Sequence, residues 1–156
     1  MQKEEQQEEE QRKKPEEHRE DKNKGIYSLV IKLDSDVSIE IGKLGSIEFP
    51  QGYYVYAGSA LNCLDKRILR HLSNDKKLHW HIDYLLQNAK IIKVFTLIST
   101  LKLECKLNKM IQMLPKAIII TKGFGCSDCK CSSHLTFFGK NNPSYSIEKI
   151  ISNIIT

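Results

Sequence analysis

The 156-residue chain lacks features that would place it in several large protein classes. It contains no run of the roughly 18 apolar residues that a membrane-spanning helix needs, which argues against an integral membrane protein. Its first residues include no apolar stretch, so we expect no secretory signal, no membrane partner and a cytoplasmic location. Its five cysteines are an odd number, which favours free thiols or metal ligands over a disulfide framework.

Residues 1–24 lack every large apolar side chain except Met1 and carry nine acidic and seven basic residues. Such a stretch has nothing to bury, so we predict a disordered charged tail. The remaining residues, 25–156, hold 17 basic and 10 acidic groups, a net charge of +7, and we predict that they form one domain. A basic domain favours an anionic partner such as nucleic acid.

Short β-branched and aromatic runs between turn residues predict strands, and apolar residues at helical spacing predict helices. Because strands come before, between and after helices, we predict an α+β fold with a small, mostly antiparallel sheet flanked by helices. The predicted strands are 25–33, 37–41, 47–49, 53–57, 91–98, 117–121 and 135–138, and the predicted helices are 61–72, 79–88, 101–114 and 147–154.

Arg67 and His71 are four residues apart in the first predicted helix, so they share one face. That face borders an apolar stripe, which places both side chains at the rim of the core. A solvated basic surface with a half-buried histidine has the same pattern, so the pair alone does not establish a site. The stripe consists of Leu61, Leu64, Ile68 and Leu72.

Glu104 falls in the apolar sector of the third predicted helix, close to Leu107 and Ile111. A carboxylate in this position must be paired, hydrogen-bonded or bound to a cation, because burying it alone costs several kcal/mol. Two interpretations follow: an ion pair with Lys102 or Lys106, or a metal ligand.

Two triplets and the residues after them resemble the signature of the GIY-YIG nucleases. The triplets are Gly25-Ile26-Tyr27 and Tyr56-Ala57-Gly58, and an Arg, a His and a later Glu follow them. The segments 52–60, 79–85 and 123–129 look like the Uri-type branch of that superfamily, and the resemblance extends from residue 25 to about residue 138. The tyrosines of the two triplets are 29 residues apart, so residues 37–49 are interpreted as an inserted β-hairpin.

The resemblance implies an endonuclease that hydrolyses phosphodiester bonds in DNA with Mg²⁺ or Mn²⁺. Glu104 would hold the metal, and Arg67 would stabilise the negative charge that develops on the phosphate. Tyr27 would be the base that activates water and Tyr56 a supporting hydroxyl, with His71 as the competing base.

Four soft metal ligands follow one another within nine residues, at Cys126, Cys129, Cys131 and His134. Their spacing is tight for a single ion, which leaves three interpretations: a structural zinc site, reduced thiols that line the active site, or a second shell around the catalytic metal. The other two cysteines, Cys63 and Cys105, are predicted to be small buried apolar residues.

His79, His81 and Asp83 lie around Trp80 in the second predicted helix. They are compatible with two interpretations, a ligand or substrate-contact pair and a set of polar residues that cap this helix. We favour the second, with Trp80 in the core.

A different function is compatible with the same residues. A non-catalytic nucleic-acid-binding module with a zinc-knuckle-like Cys/His loop would also use basic and aromatic side chains, through phosphate contacts and base stacking. A basic interaction domain without a nucleic-acid partner is the third interpretation. Glu104 and Arg67 distinguish the nuclease from the binding module, since the module needs neither.

Overall fold

The structure is a computed structural model and describes residues 23–126 and 129–155. Most of the predicted charged tail, residues 1–22, lies outside the described residues. Within the described ranges, no helix combines the length and the apolar character needed to cross a membrane.

Four strands come first along the described chain, and two helices, a strand, a helix, a strand and a last helix follow them. A four-stranded antiparallel sheet has the order β5-β1-β4-β6, and β2 and β3 pair separately as a hairpin. The predicted α+β class, with an antiparallel sheet, flanking helices and a separate hairpin, is confirmed. The elements are β1 (Gly25–Leu33), β2 (Val37–Ile41), β3 (Gly45–Phe49), β4 (Gly52–Ala60), α1 (Leu64–Leu72), α2 (His81–Leu86), β5 (Lys90–Ile98), α3 (Glu104–Gln112), β6 (Leu135–Phe137) and α4 (Ser144–Asn153).

Strand β1 lies inside the sheet, and its nearly unbroken apolar sequence is buried on both faces. Because side chains alternate along a strand, its residues divide between two cores. Tyr27 and Leu29 face a core that the hairpin and helices α1 and α2 complete. Ile26 and Val30 face a second core that α3 and α4 cover. The sheet therefore separates two helical layers.

Several element boundaries differ from the sequence predictions. Helix α1 begins at Leu64 instead of residue 61, because β4 continues to Ala60 and leaves only a short turn before the helix. Leu61 is consequently 71% exposed and Leu72 49% exposed, so the predicted apolar stripe is wrong at both ends. Residues 117–121 do not form a strand, since only Ile118 makes an isolated bridge to the sheet. Helices α2 and α3 are shorter than predicted.

A buried ion pair fixes the start of α2 against α1. The Asp83 carboxylate is fully buried and accepts two hydrogen bonds from the Arg70 guanidinium, at 2.9 and 2.8 Å. The backbone N–H groups of His79 and Trp80 donate to the same carboxylate, both at 2.9 Å. Burial alone would raise the pKa of Asp83, but these hydrogen bonds hold it below its usual value. Asp83 is therefore a structural residue, as its interpretation as a helix cap implied.

We predict that Asp83→Ala lowers the free energy of unfolding by about 3–5 kcal/mol, because it leaves the Arg70 guanidinium and two N–H groups without their acceptor. The control is Asp34→Ala, which removes an exposed pair with Lys32 at 4.0 Å and should cost at most about 1 kcal/mol. Urea denaturation of both variants measures the difference. Equal losses would contradict the structural role of Asp83.

Candidate active site

A cavity of about 590 Å³ brings together most of the residues that the sequence singled out. Four of the five predicted catalytic and metal-binding residues line it, namely Tyr27, Tyr56, Arg67 and Glu104, while His71 lies behind Tyr27. The remaining lining residues are Gly58, Ser59, Leu61, His79, Trp80, His81, Gly125 and Cys129.

Glycine is required where the two triplets come together. In the register of β1 and β4, Tyr27 lies opposite Gly58. A Cβ atom at position 58 would overlap the ring and the hydroxyl of Tyr27, so any side chain there would displace the phenol. A Cβ at Gly25 would likewise overlap the carbonyl of Leu97 on β5. The glycines of both triplets thus allow close packing around Tyr27.

Tyr27 and His71 form a buried polar pair. The Tyr27 hydroxyl lies 2.6 Å from His71 Nε2. Burial raises the pKa of Tyr27 to about 12, although the positive charge of Arg67 opposes this shift. Burial also lowers the pKa of His71 to about 4, and Asp83 opposes that shift. At neutral pH, a phenol therefore faces a neutral imidazole that can accept its proton.

Tyr56 lies on the same side of the sheet, with its ring centroid 6.4 Å from that of Tyr27. Desolvation raises the pKa of Tyr56 well above its usual value, and the nearby Tyr27 and Glu104 raise it further. Tyr56 is thus a neutral hydroxyl in the wall of the cavity, able to donate a hydrogen bond.

Two guanidinium groups surround Trp80. Arg67 donates to the Ser59 carbonyl at 3.0 Å, and its central carbon lies 4.4 Å from the Trp80 ring centroid. Arg70 lies 4.2 Å from the same centroid. Stacking on an indole positions a guanidinium without neutralising it, so Arg67 presents a full positive charge to the cavity.

Glu104 is the first residue of α3 and is half-buried at the cavity wall. The alternative of an ion pair with Lys102 or Lys106 is not realised, and Lys106 instead donates to the Ile154 carbonyl at 2.8 Å. No hydrogen bond or ion pair connects the Glu104 carboxylate to any residue in the described ranges. Its two oxygens are therefore available to a cation or a substrate.

His79 and His81 also line the cavity. Helix capping was the favoured interpretation of these residues from the sequence, and contact with a ligand or substrate was the alternative. His81 Nδ1 accepts a hydrogen bond from the backbone N–H of Gly125 at 2.9 Å, so its Nε2 carries the proton in the neutral form. Burial lowers the pKa of His81, which favours this neutral form. His79 is exposed and also borders the cavity. The one signal in the sequence was the repetition of His on both sides of Trp80.

A second cluster, of sulfur and nitrogen ligands, adjoins the cavity. The ligand atoms of Cys105, Cys129, Cys131 and His134 all lie within 4.8 Å of one another, and the group could hold a metal ion. The hydrogen bond with Cys131 and then burial raise the pKa of the Cys105 thiol.

This cluster differs from the predicted one in a single ligand. Cys126 is not part of it, and the Cys126 thiol donates to the Phe124 carbonyl at 3.3 Å. Cys105 takes its place because α3 carries that residue to the loop. The predictions that Cys105 and Cys63 are buried apolar residues are wrong, since both are only half-buried.

Comparison with known proteins gives a match to a family model. A family model described as "Domain of unknown function DUF123" matches residues 26–156. Neither the comparison with curated proteins nor that with solved structures gives a match.

The burial of His71 predicts how the free energy of unfolding depends on pH. The folded pKa of His71, about 4, lies below its unfolded value of 6.5, so the unfolded chain takes up this proton first as the pH falls. The contribution of His71 to the free energy of unfolding is therefore fully present above pH 6.5. It decreases between pH 6.5 and pH 4, by up to roughly 3 kcal/mol.

Substitution separates this contribution from the other titrating groups. We expect His71→Gln to show a weaker loss of stability between pH 6.5 and pH 4.5 than the wild-type protein does. The exposed His79→Gln variant should keep the wild-type dependence. Thermal denaturation across this pH range measures all three proteins, and identical pH dependence in His71→Gln and wild type would contradict the assignment.

Proposed function

We propose that this chain, which belongs to the family of the domain of unknown function DUF123, is a metal-dependent endonuclease of the GIY-YIG type, from its Uri-type branch, that hydrolyses phosphodiester bonds in DNA. The observation that carries the proposal is the convergence of Tyr27, Tyr56, Arg67 and Glu104 on one cavity, with His71 hydrogen-bonded to Tyr27. These side chains come from strands β1 and β4 and helices α1 and α3, so their convergence is a property of the fold.

The charges of the cavity support an anionic substrate. Arg67 has no ion pair with a carboxylate within the described residues, and it stacks on the Trp80 ring beside the cavity. Arg70 stacks on the same ring, but its charge is paired with Asp83, so Arg67 is the guanidinium that faces the substrate. The chain as a whole carries a formal net charge of +5. A phosphate group would receive a forked pair of hydrogen bonds from Arg67, and the exposed part of Trp80 offers an aromatic surface to a neighbouring base.

The cavity also fits a hard divalent cation. Glu104 offers carboxylate oxygens with no competing partner in the described ranges, and a cation with retained waters needs only one or two such ligands. Mg²⁺ or Mn²⁺ held by Glu104 would act as a Lewis acid on the phosphate. The thiolates of the neighbouring cluster are soft ligands and suit a different ion.

Arg67 stabilises the transition state in this proposal. Hydrolysis of a phosphodiester gathers negative charge on the phosphoryl oxygens, and a guanidinium fixed by the Ser59 carbonyl and the Trp80 ring needs little reorganisation to meet it.

Tyr27 and His71 together remove the proton from the attacking water. The Tyr27 oxygen accepts a proton from water as its own proton moves to His71 Nε2, 2.6 Å away. The water oxygen forms a bond to phosphorus while the bond from phosphorus to the leaving oxygen breaks. The leaving oxygen keeps the electron pair of that bond and takes up a proton from bulk water, and the imidazolium returns the proton of the attacking water to solvent. Burial is the main cause of the lowered pKa of His71, and the charge of Arg67 contributes less. A phosphate beside Arg67 would cancel part of this smaller contribution and make the imidazole a somewhat better base when substrate is bound.

The second candidate is a non-catalytic nucleic-acid-binding module with a zinc-knuckle-like loop. The compact Cys/His group beside the cavity favours it, because such loops position aromatic and basic side chains without any chemistry. It gives no role to the Glu104 carboxylate.

We predict that the full chain nicks a supercoiled plasmid or a branched DNA when Mg²⁺ or Mn²⁺ is present, and that Glu104→Gln lowers the rate by at least about 100-fold. Glu148→Gln, on the exposed face of α4, is the matched control and should cleave as the wild type does. DNA binding, measured by fluorescence anisotropy without a divalent ion, should be retained in both variants.

The outcomes separate the two candidates. Unchanged cleavage by Glu104→Gln would remove Glu104 from the mechanism. Tight DNA binding by a wild-type protein that never cleaves would instead support the binding module.

A further inference from the structure

His134 has the environment of a metal ligand. It is 1% exposed, and its Nδ1 lies 3.1 Å from the Ala57 carbonyl oxygen. A carbonyl only accepts hydrogen bonds, so Nδ1 carries the proton and Nε2 carries the lone pair. That lone pair points at the Cys129 sulfur, 3.0 Å away. A hydrogen bond from the second ring nitrogen to a backbone carbonyl, which fixes the orientation of the buried imidazole, is typical of metal-binding histidines.

Three sulfurs complete a four-ligand group around this nitrogen. The ligand atoms of Cys105, Cys129, Cys131 and His134 lie within 4.8 Å of one another. Tetrahedral zinc with sulfur and nitrogen ligands places them about 3.3–3.8 Å apart, so small side-chain adjustments suffice to enclose an ion. Cys105 comes from α3, which relieves the tight spacing of the three ligands near β6.

We propose that Cys105, Cys129, Cys131 and His134 bind one structural Zn²⁺ ion, and that Cys126 is not a ligand. Four protein ligands close the coordination shell, which is the arrangement of structural zinc sites. Three thiolates and one neutral imidazole are soft donors that select zinc over Mg²⁺. The inference does not depend on the nuclease proposal, because it concerns a different ion and different residues.

The ion would fasten two parts of the cavity wall together. Cys105 directly follows Glu104, and Cys129 itself lines the cavity. Asn108 and Gln112 of α3 already donate to the Ser133 carbonyl, at 2.6 and 2.9 Å, but these bonds lie further along the helix. Zinc would hold the first turn of α3, where the carboxylate is.

Metal binding by the full chain tests the proposal. We expect about one zinc ion per chain by elemental analysis, and expect Co²⁺ added to the zinc-free, reduced protein to give the visible and near-ultraviolet absorption of a tetrahedral thiolate site. Loss of a residue that is hydrogen-bonded to a metal ligand usually lowers metal affinity about 10–100-fold. Cys105→Ser removes a ligand itself, so it should lower zinc affinity at least about 100-fold. Cys126→Ser, three residues before Cys129 and five before Cys131, is the matched control and should bind as the wild type does.

Cysteine protection in the wild-type chain tests the ligand set without any variant. Alkylation mapped by mass spectrometry should modify Cys63 and Cys126 with or without zinc, whereas zinc should protect Cys105, Cys129 and Cys131. Protection of Cys126 together with rapid labelling of Cys105 would overturn the ligand assignment. The absence of any zinc-dependent protection or of tetrahedral Co²⁺ absorption would overturn the site itself.

Discussion

The antiparallel pairing of β1 with β4 is the constraint on which the geometry of the cavity depends. Its register sets Tyr27 opposite Gly58, and the phenol occupies the volume that a side chain at position 58 would need. The same register sets Tyr56 opposite Leu29, which lies on the Tyr27 face of β1. A slip of one residue would turn these side chains toward α3 and α4. The burial of apolar residues on both faces of β1 fixes this register, and the register in turn fixes the positions of Tyr27 and Tyr56.

Two carboxylates near the cavity have opposite environments and, in our interpretation, opposite roles. Asp83 is buried and its oxygens receive four hydrogen bonds, so it orders Arg70 and the start of α2. Glu104 borders the open cavity and has no such partner in the described ranges. The first carboxylate organises the cationic side of the cavity through Arg70 and Trp80, and the second supplies its negative side. A site that binds a cation and a phosphate together needs a carboxylate and a guanidinium close to each other. The two groups must not form an ion pair with each other.

Residue pattern was sufficient for the fold class, because strand alternation and turn residues are local signals. The candidate residues of the cavity were named together only through the resemblance to a known family. The positions of Tyr27, Tyr56, Arg67 and Glu104 relative to one another follow from how these elements pack. Contacts between distant segments were beyond such reasoning. Cys105 lies more than twenty residues before the cysteine loop, and only the packing of α3 against that loop joins them. The start of α1 was misjudged because β4 extends further than its β-branched residues indicate.

The stacking of two guanidinium groups on Trp80 has an experimental consequence, since Trp80 is the chain's single tryptophan. All indole fluorescence of the protein originates at the cavity, within contact of the cation proposed to meet a phosphate. An oligonucleotide or a nucleotide that draws Arg67 off the ring alters the polarity around the indole. Trp80 fluorescence can therefore report ligand binding without an added label, and its change during a ligand titration gives the occupancy of the cavity.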